Sequence, residues 1–129
     1  MFRLNPAPKP KHRRIKPKRG DLTRITDKVR KEVERRSKGR CERCGCTRAK
    51  HWFEHAHLIN ASQLGSGGEP WNIAKLCGPR TATGTCHQFA DDTATGREWC
   101  MDYRFELIAY YTDGAGSEIW PYDGPSERK

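Results

Sequence analysis

No uninterrupted apolar run in the sequence is longer than the five residues 107–111. A membrane-spanning helix needs roughly 20 such residues, so a protein anchored in that way is excluded. The opening residues MFRLNPAPKPKHRR contain no apolar h-region, and no secretory signal is expected. Acidic side chains are missing from residues 1–20. Apolar residues are sparse, at 34% of a 129-residue chain, which leaves room for one small core with extensions rather than two independent domains. No internal repeat recurs at a fixed period.

Cationic charge is abundant. The chain holds 25 Lys or Arg against 16 Asp or Glu, a formal net charge of +9. The excess is confined to one end: residues 1–50 hold 19 basic and 5 acidic side chains, residues 51–129 hold 6 and 11. This asymmetry suggests a polyanion-binding arm beside a body of different chemistry, although a basic run also serves as a solubilising tail. Binding that neutralises phosphates releases counterions, so such an arm favours nucleic acid in a salt-dependent way.

Residues 1–20 carry four prolines and eight Lys or Arg. Proline removes backbone donors and like charges repel, so a disordered, extended arm is expected. Its candidate DNA contacts are Arg13, Arg14, Lys16, Lys18 and Arg19. Ile25, Val29 and Val33 then recur at a spacing of four, one stripe of a short helix. Thr26 is suited to cap it, Asp27 to its first turn, and Arg35, Arg36 and Lys38 to its end, with Gly39 as the stop. Arg35 and Arg36 are expected on its outer face as further DNA contacts. Trp52-Phe-Glu-His-Ala-His-Leu58 reads as a strand, with Trp52, Glu54, Ala56 and Leu58 on one parity and Phe53, His55 and His57 on the other. The Gly- and Ser-rich residues 60–70 form a loop, and residues 72–77 a second strand. A helix opens at Cys86 and His87 and runs to about Thr93, and residues 96–102 add a helical turn or two. Residues 104–112 and 118–122 flank Asp113-Gly-Ala-Gly and are expected to pair as a C-terminal hairpin.

Six cysteines without an export signal point to metal ligation and buried thiols rather than disulfides. Cys41 and Cys44 can chelate one ion from a single knuckle, with Gly45 permitting the turn. Cys77 ends a strand and Cys86 starts a helix, which completes a candidate four-thiolate structural zinc site. Cys46 is an alternative to Cys44. A redox Cys-x-x-Cys would sit near a βαβ pattern, and none is present. Cys100, among aromatic residues, reads as a buried thiol.

Of five histidines, His12 and His51 read as solvated. His55, His57 and His87 border the two strands and the helix that the zinc would tie together. Imidazole is both a base near neutral pH and a common metal ligand. His87 and Asp91 stand at i and i+4 on one helical face, where both can reach one divalent cation or simply bond each other.

Cys41 and Cys44, then Glu54-His-Ala-His-Leu58, a Gly-rich loop, Asn72-Ile73 leading to Leu76-Cys77, and finally Cys86-His87 resemble, in order and spacing, the HNH endonucleases. The loop Leu-Cys-Gly-Pro-Arg-Thr-Ala-Thr-Gly-Thr-Cys-His and the Lys/Arg/Pro-rich leader resemble bacteriophage and prophage members. The resemblance covers roughly residues 20–105. It implies a small α+β fold of the ββα-metal (treble-clef-like, His-Me finger) type with a structural zinc, as a nuclease domain over residues 21–105 between the basic arm of residues 1–20 and a C-terminal extension of residues 106–129.

By position, the resemblance makes His57 the general base on water, Asn72 the residue holding the intervening loop, and His87 a ligand of the catalytic cation. Asp91 stands where some members place another His. The cation would be Mg2+, or Mn2+, Ni2+ or Zn2+. The implied activity is hydrolysis of phosphodiester bonds in double-stranded DNA in the bacterial host cytoplasm, in phage DNA processing or packaging, with phage packaging proteins as partners. Two departures stand out. Ala56 occupies the position before the catalytic His where many members carry a metal ligand, leaving Glu54 or His55 as substitutes. Asn60-Ala61-Ser62 follow where an Arg or Pro is usual. The alternative to a nuclease is a zinc-containing DNA-binding module without chemistry, and a third reading is an adaptor whose arm docks on an acidic protein.

Overall fold

The computed structural model describes residues 22–48, 51–63 and 65–120. The arm of residues 1–20, with His12, Arg13, Arg14, Lys16, Lys18 and Arg19, lies outside the described residues. Among these, three helices and one two-stranded antiparallel sheet make a small α+β fold. The order is α1 (Asp27–Ser37), β1 (Trp52–His57), β2 (Ile73–Gly78), α2 (Cys86–Asp92) and α3 (Ala94–Thr112), with single 3-10 turns at Ala61–Gln63 and Pro70–Asn72. Among the described residues no helix is long and apolar enough to cross a membrane.

Helix α1 begins where its capping chemistry places it. The Thr26 hydroxyl accepts from the Val29 N–H at 3.2 Å, satisfying one of the first-turn donors that have no partner within the helix. The left-handed turn that ends it starts at Lys38 (φ 55°), one residue before the expected Gly39 (φ 75°). Its buried stripe, Val29 and Val33, packs on Ile73 of β2.

In the hairpin His57 pairs with Ile73 and Trp52 with Gly78. Side chains alternate across the sheet, so Ala56, Ala74 and Leu76 share one face. They join the main core with Leu58, Trp71, Ala90, Cys100, Leu107 and Tyr111.

The C-terminal hairpin expected from residues 104–112 and 118–122 does not form. Residues 104–112 complete the 19-residue helix α3. Residues 118–120 lie in turns, and residues 121–122 fall outside the described ones. The aromatic run at residues 107–111 suits a strand by composition, but burial at Gly96, Cys100, Leu107 and Tyr111 follows the helical period. Thr93 caps the helix, accepting from the Gly96 N–H at 2.8 Å. A Cβ at position 96 would lie 1.8 Å from the Phe89 carbonyl oxygen, so the close approach of α2 and α3 requires glycine there. Helix α3 also runs through the boundary expected at residues 105–106, and Leu107 and Tyr111 close the same core.

Arg36, expected on the outer face of α1 as a DNA contact, turns inward instead. Its side chain is 6% exposed and forms a fork-on-fork pair with Glu42, at 2.7 and 2.9 Å. It also donates to the carbonyls of Pro70 and Ile73, at 2.8 and 2.7 Å. Glu42 in turn accepts from the Lys75 N–H at 2.9 Å and from the Tyr103 hydroxyl. One buried ion pair thus links α1, the cysteine knuckle, β2 and α3. The expected outward position came from proximity to the helix end, whereas Glu42, six residues on, draws the guanidinium into the interior. Glu42→Ala leaves a buried guanidinium without its counter-ion, and a loss of about 3–5 kcal/mol is expected in urea unfolding. Arg35 stays partly exposed but is held by Glu32, through two 2.6 Å bonds, and by the Tyr110 hydroxyl.

Candidate functional site

The knuckle after α1 returns on itself through Gly45 (φ 76°), and the Cys41 N–H donates to the Cys46 carbonyl at 3.0 Å. Across from it, Cys77 leaves β2 and Cys86 opens α2. The sulfurs of Cys41, Cys44, Cys77 and Cys86 lie within 4.8 Å of one another. Thiolates on a tetrahedral zinc stand about 3.8 Å apart, so these four can hold a metal ion such as zinc with only a small contraction. Backbone N–H groups already point at the sulfurs: Cys44 toward Cys41 at 3.5 Å and Cys86 toward Cys77 at 3.3 Å. The Arg43 guanidinium donates to Cys86 at 3.4 Å and covers the Phe89 ring. Such donors suit a cluster whose thiolates carry more negative charge than one divalent ion cancels.

Of Cys44 and Cys46, it is Cys44 that belongs to the close quartet, and Cys46 stands outside it. It acts on Cys44 instead. Burial raises the Cys44 pKa, but the Cys46 backbone and thiol, together with the Cys41 and Cys86 sulfurs, outweigh it and bring Cys44 down to about 7. Burial, with the neighbouring Cys44, pushes Cys46 up to about 12. All six cysteines are free thiols, and Cys100 is fully buried in the core.

A second centre lies on the other side of α2. A cavity of about 250 Å³ is lined by His55, Ala56, His57, Asn60, Ala61, Arg80, His87 and Asp91. It touches both parities of β1, so His57 meets the same space as His87 and Asp91 although the latter two belong to the opposite, helical side. The His57 Nε2 stands 2.5 Å from the Thr23 carbonyl oxygen. A carbonyl can only accept, so Nε2 carries the proton and the neutral ring keeps its lone pair on Nδ1.

His87 sits between two carboxylates, with Nδ1 2.8 Å from Glu54 Oε1 and Nε2 3.3 Å from Asp91 Oδ2. Burial works to lower the His87 pKa, yet the bonds to Asp91 and Glu54 leave it raised. Both carboxylates resist their own burial and are held low, with His87 the leading cause.

Asn72 does not line the cavity. It is 2% exposed and staples the long β1–β2 connection. Its Oδ1 accepts from the Ile59 N–H at 2.8 Å, and its Nδ2 donates to Ser66 O at 2.9 Å and Ile59 O at 3.3 Å.

The two candidates for the position vacated at Ala56 separate. Glu54 points to the α2 face and bonds His87. His55 faces α1, with Nε2 3.9 Å from Glu34 Oε1, and burial lowers its pKa. His51 is exposed beside the Trp52 ring. Reading the sequence alone missed Arg80, whose Nε lies 3.1 Å from Asp91 Oδ2 and whose backbone N–H donates to Glu54 Oε1 at 3.0 Å. A usable signal existed, since Arg80 is one of only six basic residues in the acidic part of the chain and lies between Cys77 and Cys86. Arg97 also reaches Asp91, at 3.5 Å, while its guanidinium serves Leu58 O and Asn60 Oδ1.

No family model matches the chain, and no curated protein or solved structure matches it.

Proposed function

We propose that this protein is a metal-dependent endonuclease of the HNH type, with a ββα-metal fold stapled by zinc, that hydrolyses phosphodiester bonds of double-stranded DNA. The observation that carries the reading is the meeting of His57, His87 and Asp91 around one cavity, beside a four-cysteine cluster that anchors the same helix. The order of these residues in the sequence resembles the HNH pattern, and their spatial grouping adds independent support. A role in phage DNA processing, in the host cytoplasm, rests on the resemblance alone.

Two donors fit a catalytic divalent cation. His87 Nε2 and Asp91 Oδ2 stand 3.3 Å apart, a separation that two ligands of one ion can span. Mg2+ and Mn2+ are commonly held by one or two protein groups, with water and phosphate completing the shell, so a missing third ligand at Ala56 is tolerable. When bound, the cation would offset charge on the phosphate and the leaving oxygen. His57 Nδ1 takes the proton of the attacking water, and the Thr23 carbonyl fixes the tautomer that makes this possible. Asn72 holds the connecting loop in place. Glu54 accepts the Nδ1 proton of His87 and so would leave Nε2 to face, together with Asp91, a cation bound in the cavity.

That role for Glu54 differs from filling the vacant ligand position, and the difference is measurable. Groups that orient a metal-bound histidine typically contribute roughly 10–100-fold in metal affinity. Glu54→Ala is therefore expected to weaken Mn2+ binding in calorimetry by that factor while leaving the number of ions bound unchanged. A change in stoichiometry would mark Glu54 as a ligand.

Plasmid nicking tests the function itself. Supercoiled DNA should be cut in the presence of Mg2+, Mn2+, Ni2+ or Zn2+ and protected by EDTA. Absence of cutting across all four cations, with DNA binding retained, would favour a zinc-containing DNA-binding module.

A further inference from the structure

We infer that Arg80 is a phosphate-contacting catalytic residue, gripping the scissile phosphodiester of DNA from the mouth of the His57/His87 cavity; this rests on the nuclease reading. Among the described residues that line the cavity, Arg80 is the only one with a permanent positive charge. Hydrolysis of a phosphodiester builds negative charge on the non-bridging oxygens, and a guanidinium offers them two parallel donors. The residues after His57, Asn60-Ala61-Ser62, carry no charge where an Arg or Pro is usual in the resembling family. Arg80 brings the missing charge to the same space from the loop that follows β2.

Its placement is built rather than incidental. The backbone N–H of Arg80 is bonded to Glu54, the carboxylate that also bonds His87. Its guanidinium spans Asp91 at 3.1 Å and Asp92 at 2.9 Å, yet the side chain remains 55% exposed. It is thus pre-positioned at the cavity and open to a ligand from solvent. Arg97, the other guanidinium near Asp91, is bound to the backbone carbonyl of Leu58 and is only 27% exposed, so it holds the scaffold.

The rival explanation is that Arg80 merely ties its loop to α2 through Asp92. Full-length Arg80→Ala, Arg80→Lys and Asp92→Asn proteins distinguish the two. Fluorescence anisotropy with a DNA duplex over a salt series should give a log K against log salt slope flatter by about one for Arg80→Ala. Plasmid cleavage should fall roughly 100-fold, with Arg80→Lys in between because lysine keeps the charge without the fork. Asp92→Asn removes a competing anion, so its DNA affinity should equal or exceed wild type. If Arg80→Ala retains the wild-type slope and cleavage rate, or if Asp92→Asn reproduces its losses, the phosphate role is wrong while the nuclease reading stands. If the wild type cuts nothing, that reading fails, and an unchanged slope or a flattened one still decides whether Arg80 touches phosphate.

Discussion

Cys86→Ser is expected to abolish the cooperative thermal transition and to release about one zinc per chain, and Cys41→Ser to do the same. Apparent binding free energies of structural zinc are about 10–16 kcal/mol in small zinc-dependent folds. The whole stability of a domain this size is about 5–15 kcal/mol, so the loss of an ion held by the quartet would be expected to unfold it. The geometry says why these two positions matter most: Cys41 and Cys86 are the buried pair, 1% and 4% exposed, and they pack in the main core with Ala56, Leu76 and Cys100. Losing a thiol there would remove the metal-mediated tie that the quartet can make between the knuckle after α1 and the start of α2. Two controls bracket the result. Cys46→Ser lies outside the quartet and should keep the zinc. Cys100→Ser exchanges one small buried group for another and should cost little beside a lost ligand. Zinc content by atomic absorption, read beside circular dichroism, checks all four. Wild-type melting of both Cys41→Ser and Cys86→Ser would refute the four-thiolate staple.

The parts of this fold that were legible in the sequence are those governed by short-range chemistry. Thr26 before a spaced valine stripe, alternation through β1, and Cys86-His87 at a helix start each depend on neighbours within a few residues. The structure places an element at each of those positions, to within one or two residues. The C-terminal segment misleads because its local and tertiary signals disagree. The aromatic and branched residues of the 107–111 run suit a strand, but one strand needs a partner, whereas Leu107 and Tyr111 at helical spacing find a ready core. Arg36 misleads for a related reason. Charge at a helix end is usually solvated, and nothing within the helix announces that Glu42, the Tyr111 hydroxyl and two backbone carbonyls will meet it from four directions.

The candidate site divides the same way. His57, His87 and Asp91 were visible as residue types at meaningful spacings, and the strand parity of Glu54 placed it correctly on the face away from His57. What parity does not reveal is that α2 covers that face, so that Glu54 meets His87 at 2.8 Å. The choice of Cys44 over Cys46 was also beyond the spacing, since both lie within reach of one ion. It depends on the knuckle's three-dimensional turn, left-handed at Gly45, which leaves Cys44 rather than Cys46 in the quartet.

His57→Ala is expected to reduce cleavage by roughly 10²–10⁴-fold with zinc content, melting temperature and DNA affinity nearly unchanged. A general base acts on the attacking water in the transition state, so its loss is felt in kcat and scarcely in ground-state binding. The structure limits the collateral damage. His57 is half-buried at the end of β1, and apart from pairing with Ile73 it makes one side-chain hydrogen bond, to Thr23. His87→Ala should also stop cleavage, but by emptying a ligand position, so high Mn2+ should restore part of its activity and none of that lost in His57→Ala. His55→Ala separates position from chemistry. His55 lines the same cavity but its Nε2 faces Glu34, so cleavage should stay within a few-fold of wild type. Rates measured across the three variants at saturating and tenfold-higher Mn2+ test the assignment. Equal metal rescue of His57→Ala and His87→Ala would make His57 a ligand rather than a base, and a lost rate in His55→Ala alone would move the base to the neighbouring strand position.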